Sequence, residues 1–233
     1  MLNRLKKEIE EAKNPEQAKI LQRFFKTGKG EYGEGDIFLG IKVPIQRKIA
    51  KGYTNLSFMD LQTLLNSKIH EERLIALIIL TNKYQKSKKD FVKKRQIFEF
   101  YLKNTHNINN WDLVDLSAPN IVGDFSSTDG TEVIRFLAKS KNLWERRIAI
   151  VSTYAFIKNR IFGETLAIAD MLLKDEHDLI HKAVGWMLRE VGKRNQEVLE
   201  IFLKERYKTM PRTMLRYSIE KFPEEKRKSY LKR

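Results

Sequence analysis

Apolar residues in this chain recur at the three- and four-residue intervals of helices that turn one face to a core. The strict alternation of a half-buried strand is nearly absent. Helix punctuation runs the whole length. Asn14-Pro15-Glu16-Gln17 supplies an N-cap, a Pro at the first helical position and a Gln at the third. Ser57 with Asp60, and Asn142 with Glu145, have the spacing of capping boxes. Pro44, Pro211 and Pro223 each precede an amphipathic stretch. Roughly a dozen helices joined by short polar turns are expected.

Several of these helices resemble one another. Glu-Glu-Arg73-Leu-Ile-Ala-Leu, Trp-Glu-Arg146-Arg-Ile-Ala-Ile and Ile-His-Lys182-Ala-Val-Gly-Trp share a basic residue followed by an apolar run. Arg73, Arg146 and Lys182 lie 73 and 36 residues apart, so a further copy should start near position 110. A period of about 36 residues with two helices per unit is the signature of stacked helical repeats of the HEAT kind. The expected fold is therefore all-α, a helical-repeat solenoid whose concave side is lined by one helix from each unit. A single domain over residues 1–233 is expected to hold it.

Composition adds a partner to this picture. Against 30 Asp and Glu stand 45 Lys and Arg, a formal charge of +15, which favours a polyanion and nucleic acid first. The basic residues are scattered through the helices rather than massed in a tail, so any positive face must be assembled by folding. With no Cys, the chain has neither disulfides nor zinc thiolates. Residues 1–10 read as an amphipathic helix interrupted by acids, not a signal peptide, and no apolar run approaches the ~18 residues of a membrane span. A cytoplasmic monomer without membrane contact is expected.

The most distinctive segment is Asn109-Asn-Trp111-Asp-Leu-Val-Asp115-Leu-Ser-Ala-Pro119. Trp111 and Asp115 are four apart and share a helix face, as the lining of a cleft would. A half-buried core Trp beside a solvated Asp has the same spacing. The repeat register separates the two. Counted from the shared basic position, Trp111 and Arg147 fall at position 1, Trp186 at position 4 and Asp115 at position 5. At ~100° per residue these four lie within an arc of roughly 100°. Three consecutive repeats thus point Trp, Asp, Arg and Trp along one stripe, favouring a site. Arg47, Lys48, Arg146, Lys182, Arg189 and Lys193 are the basic candidates for phosphate contact around it.

Other motifs carry less. The glycines at 28, 30, 33, 35 and 40 are followed by no Gly-Lys-Ser/Thr and preceded by no strand, so they read as a flexible inter-helix loop. His177-Asp-Leu-Ile-His181 imitates a zinc pair, but Asp178 reads as an N-cap that would put His177 outside the helix, and no third ligand stands out. No metal site is expected.

Phe38-Leu-Gly-Ile-Lys-Val-Pro44, Trp111-Asp-Leu-Val-Asp115, Leu143-Trp-Glu-Arg-Arg147 and Lys182-Ala-Val-Gly-Trp-Met-Leu-Arg-Glu190 together resemble the AlkD-like bacterial DNA glycosylases. These are HEAT-like helical proteins that excise alkylated purines, and the likeness extends over nearly the whole chain. It implies that Asp115 is the catalytic carboxylate, Trp111 and Trp186 aromatic walls, and Arg147 the cleft cation. Arg47, in a Pro-x-x-Arg turn, would contact the DNA backbone. Phe24 stands where active members have a Tyr in the cleft, and Lys42 where they have a Gln. The implied activity is hydrolysis of N3- or N7-alkylated purines from double-stranded DNA without metal or organic cofactor. The alternative is a non-catalytic helical-repeat protein that binds distorted or branched DNA.

Overall fold

The structure is a computed structural model and describes residues 1–232. Among these residues there are sixteen α-helices, a 3-10 turn, a π turn and no strand beyond one isolated bridge between Ile37 and Ile69. The all-α, helical-repeat expectation is borne out. More helices form than the dozen expected because several are a turn or two long. No helix among the described residues is long and apolar enough to cross a membrane. The chain divides into two compact units, Met1–Ser117 and Ala118 onward.

The first unit contains α1 (Leu2–Glu11), α2 (Pro15–Phe24), α3 (Val43–Lys51), α4 (Phe58–Leu65), α5 (His70–Lys86), α6 (Phe91–Lys103) and α7 (Trp111–Ser117). Its centre is α5, buried without interruption from His70 to Leu80 and packed against α3, α4, α6 and α7. The caps form largely as the sequence dictates. Asn14 accepts the Gln17 N–H ahead of Pro15, and Ser57 and Asp60 complete a reciprocal box.

The second unit contains α8 (Asp124–Asp129), α9 (Glu132–Ala138), α10 (Leu143–Ser152), α11 (Tyr154–Lys158), α12 (Gly163–Met171), α13 (Asp178–Arg194), α14 (Gln196–Lys204), α15 (Arg212–Ser218) and α16 (Glu224–Leu231). Here α13 is the hub, touching α10, α12, α14 and α15. Gly185 makes the close approach of α15 possible. A Cβ at that position would stand 2.5 Å from Tyr217 Cβ and 2.6 Å from the Met214 carbonyl, so only hydrogen fits beneath α15.

Two local expectations are corrected. Asn142 caps α10 through the Trp144 N–H, but Glu145 turns to the Ser140 hydroxyl instead of closing a box. The N-cap of α13 is His177, whose Nδ1 accepts from the Leu179 N–H, and Asp178 is the first helical residue. The repeat register holds in part, because position 110, the expected equivalent of Arg73, precedes its helix. Arg73 and Arg146 are the fourth residues of α5 and α10, Lys182 the fifth of α13, and the copy expected near 110 is α7, shortened so that it starts at Trp111.

Candidate functional site

In the first unit the site grows from a buried charged network. His70, at the start of α5, is almost fully buried and lies between two carboxylates: Nδ1 is 3.0 Å from Asp36 Oδ2 and Nε2 is 2.8 Å from Asp112 Oδ2. The other oxygen of Asp36 accepts from Arg73 Nη2 at 2.6 Å, and Asn110 Nδ2 adds a long contact of 3.4 Å. Burial opposes charge on His70, but Asp112 and then Asp36 overcome it and raise its pKa to about 9. Burial likewise opposes charge on Asp36, yet His70 and Arg73 prevail and hold it below the ordinary carboxylate value. The imidazole is therefore a buried imidazolium at neutral pH. It ties α5 to the loop before α3 and to the first turn of α7.

The same imidazole starts an aromatic stack. Phe38 lies on it at 4.4 Å between centroids, Phe25 on Phe38 at 4.9 Å, and Trp111 on Phe25 at 4.9 Å with planes 15° apart. Phe24 meets the edge of Trp111 at 5.8 Å and is 62% exposed. Spacings of this size favour aromatic pairs by about 0.5–1.5 kcal/mol each. The indole is thus held on one side by a ring anchored to the core.

Helix α7 then divides by face. Asp112, Leu113, Val114 and Ser117 are buried, whereas Trp111, Asp115 and Leu116 are half-buried. The shared accessible side predicted for Trp111 and Asp115 follows from this helix and its inner contacts. The expectations of a core Trp and of a lining Trp both contain part of the result, since the indole packs against Ala18, Phe25 and Phe38 without being enclosed.

The segment from Phe38 to Lys42 is fixed from below. The buried carboxylate of Glu71 accepts the N–H groups of Leu39, Gly40 and Ile41 at 3.0, 2.8 and 3.1 Å. Gly40 has φ +85°, and a Cβ there would come 2.1 Å from the Asn14 carbonyl, so this turn requires glycine. The Gly-rich stretch is accordingly tied down at its C-terminal end, with Asp36 and Phe38 buried. Lys42 is presented as the N-cap of α3, and Lys42, Arg47 and Lys48 are all exposed.

In the second unit, Arg146 donates from Nε to Asp175 at 2.6 Å and from Nη1 to the carbonyls of Ser140 and Lys141. Those bonds hold the turn before α10 to the turn before α13. Arg147 is buried, with Nη1 donating to the Leu179 carbonyl at 2.6 Å. Trp186 is half-buried, its ring 6.4 Å from Tyr154. Lys182 pairs with Asp178 at 2.7 Å, Lys193 with Glu190 at 2.6 Å, and Arg189 with Glu220. Ion pairs as accessible as that of Lys182 are worth ~0–1 kcal/mol, so a phosphate can replace the carboxylate at little cost. His177 and His181 bond to the Leu179 N–H and the Asp175 carbonyl.

Sequence reasoning missed His70, Asp36, Asp112 and Phe25. His70 lies 34 residues from Asp36 and 42 from Asp112, so no local spacing marks the network. One signal was available: the Trp111 motif contains two carboxylates, and only one of them can share the indole's face.

With this geometry in place the comparisons are decisive about class. The family model for DNA alkylation repair enzyme matches residues 5–222, and the chain belongs to that AlkD-like family. Membership carries a role in DNA alkylation repair, with DNA as the partner. Among solved structures, the chain is similar to one described as a predicted DNA alkylation repair enzyme from Enterococcus faecalis. The two share 19% identity and a TM-score of 0.68 over 91% of this chain and 97% of the other. It is also similar to AlkD2 from Streptococcus mutans at 18% identity and TM-score 0.57, over 90% and 98% of the two chains. For smu.31 from Streptococcus mutans UA159 the values are 17% and 0.57, over 88% and 98%. A comparison with functionally curated proteins finds no match.

Duplex binding should be electrostatic and largely indifferent to sequence. With about six phosphates neutralised, the log–log dependence of affinity on salt should have a slope near −5. Reversing the charge of Arg47, Arg189 and Lys193 together should flatten that slope and weaken binding on every duplex tested. An unchanged slope, measured by fluorescence anisotropy, would place the DNA face elsewhere.

Proposed function

We propose that this protein hydrolyses the N-glycosidic bond of N3- or N7-alkylated purines in double-stranded DNA and leaves an abasic site. The observation that carries this reading is the two-sided construction of α7. Its inner face is locked to a buried imidazolium through Asp112, and its accessible face offers an indole and the Asp115 carboxylate one turn apart.

Alkylation at N3 or N7 makes the purine cationic, which weakens its bond to the sugar and makes the base a ready leaving group. Departure leaves oxocarbenium character on the deoxyribose, as in other glycoside cleavages. An ionised Asp115 near that carbon stabilises the developing charge and orients the attacking water. The ring face of Trp111 favours a cationic base over a neutral one by roughly 0.5–2 kcal/mol. The resemblance extends the reading to the second unit, with Trp186 as a further aromatic contact to the lesion and Arg147 as a cation serving the reaction. The leaving group is already activated by its own charge, so the chemistry calls for no metal or organic cofactor. No lysine nucleophile is invoked, so no strand nicking should accompany base release.

Incubating the protein with methylated duplex and identifying the released bases by chromatography tests the proposal. Free 3-methyladenine or 7-methylguanine supports it. Tight duplex binding with no base released, where a known glycosylase succeeds, would favour the non-catalytic DNA-binding protein. Trp186→Ala should lower excision of cationic lesions roughly tenfold, the rate equivalent of ~1.4 kcal/mol. Binding to undamaged duplex should change far less, because backbone contacts do not use a ring face. A loss of melting temperature by circular dichroism would instead make Trp186 a packing residue.

A further inference from the structure

Positive charge is dense at the corner between α5 and α6, a stretch that includes none of the basic residues considered so far. Residues 83–95 contain seven Lys or Arg and one acid, Asp90. That acid is already engaged. Its Oδ1 caps α6 by accepting the Lys93 N–H at 3.0 Å, and its Oδ2 lies 3.1 Å from Lys93 Nζ.

The corner is also shaped. Lys83, Lys86 and Lys93 line an open groove of about 370 Å³, together with the polar side chains of Thr54, Asn55 and Ser87. Lys83 Nζ donates to the carbonyls of Thr54 and Leu56 at 3.1 and 2.9 Å, and Lys86 Nζ donates to Thr54 Oγ1 at 3.2 Å. Two ammonium groups are thereby drawn to one residue. Burial lowers the pKa of Lys83, and the neighbouring ammonium of Lys86 adds to the effect. Like charges brought together repel, and flexible lysines left to themselves would spread into water. An anion seated among them removes that repulsion.

We propose that this corner is a second phosphate-binding surface, which takes backbone phosphates of duplex DNA apart from the residues that the resemblance assigns to the lesion. The proposal rests on DNA being the partner, and it locates a contact that the family resemblance does not supply. The shared chemistry is a phosphate oxyanion, and the extent of the charge favours a polymer over a free ion. Beyond the groove, Lys88, Lys89 and Arg95 continue the run as exposed side chains. One phosphate needs two or three donors, whereas a line of cations matches a line of phosphates.

The test uses the full chain and its Lys86→Gln/Lys93→Gln double variant, with duplex affinity measured by fluorescence anisotropy across a salt series. Each phosphate contact contributes about 0.9 to the log–log slope, so the variant should lose nearly 2 from its magnitude. An unchanged slope alongside normal wild-type binding overturns the groove and leaves DNA binding standing. A wild type that binds no duplex overturns both. Lysine acetylation footprinting of the wild type needs no substitution: duplex should protect Lys86 and Lys93, and equal labelling with and without duplex overturns the proposal. Inorganic phosphate is the third probe. If it protects both lysines at micromolar concentration while duplex does not, the groove is a free-phosphate site and the nucleic-acid assignment fails.

Discussion

Replacing Asp115 by Asn is expected to lower the rate of alkylbase release by on the order of 100-fold or more, with duplex affinity held or slightly raised. The substitution keeps the shape of the side chain and removes its charge. If the carboxylate acts on an oxocarbenium-like transition state, that charge is the whole of its contribution and an amide cannot replace it. Affinity for undamaged DNA rises slightly because one negative charge near phosphates is gone. Asp115 lies on the accessible side of α7, so the melting temperature should move little. Single-turnover excision of 3-methyladenine or 7-methylguanine, with anisotropy and circular dichroism on the same preparations, decides the matter. Unchanged excision would remove Asp115 from the chemistry. A variant that loses excision, affinity and melting temperature together would make it a structural residue.

His70→Leu is expected to destabilise the first unit by about 3–5 kcal/mol, the usual cost of breaking a buried ion pair from one side. Asp36 would keep Arg73 at 2.6 Å, but Asp112 would lose its 2.8 Å partner inside the protein. At about 2–4 °C per kcal/mol for a chain of this size, the melting temperature should fall by roughly 10 °C. If the cost is stranded charge, adding Asp112→Asn to His70→Leu should restore part of it, whereas two unrelated packing losses would add. The wild type carries a matching pH signature. Its folded-state pKa of about 9 exceeds the unfolded value near 6.5, so this contribution is complete below pH 6.5 and is lost as pH rises through 9. A shift of that size corresponds to about 3 kcal/mol. Asp36 acts in the opposite direction. Its depressed pKa gives stability that is present above the ordinary carboxylate value and lost as pH falls through its lowered one. The network is therefore whole between the carboxylate range and pH 6.5. Urea unfolding of wild type and His70→Leu from pH 6 to pH 10 isolates the alkaline limb. Parallel curves would show that His70 is neutral in the fold.

What the sequence determined by itself is what local chemistry determines. Caps at Asn14 and Ser57 and prolines at helix starts fix where helices begin, and the spacing of apolar residues fixes which face turns inward. The recurring Arg73, Arg146 and Lys182 registers pointed to a further helix near position 110, where α7 begins, although the equivalent position falls just ahead of that helix and not at its fourth residue. The pairing of Trp111 with Asp115 was also legible, because four residues along a helix is a short-range relation. The tertiary structure alone decided the roles of the charges. Nothing local marks Glu71, Arg73 and Asp112 as buried, since carboxylates and guanidinium groups seldom are. They are buried because partners 30 or more residues away meet them: Glu71 the N–H groups of Leu39, Gly40 and Ile41, Arg73 the carboxylate of Asp36, and Asp112 the imidazole of His70. Such pairings leave no period in the chain. The same holds for Phe25, which stacks on Trp111 from a helix end 86 positions earlier, while its neighbour Phe24 points outward. Helix periodicity reports which side of a segment is buried. Only the fold reports what it is buried against, and at this site that distinction separates Asp112, the carboxylate that anchors α7, from the half-buried Asp115.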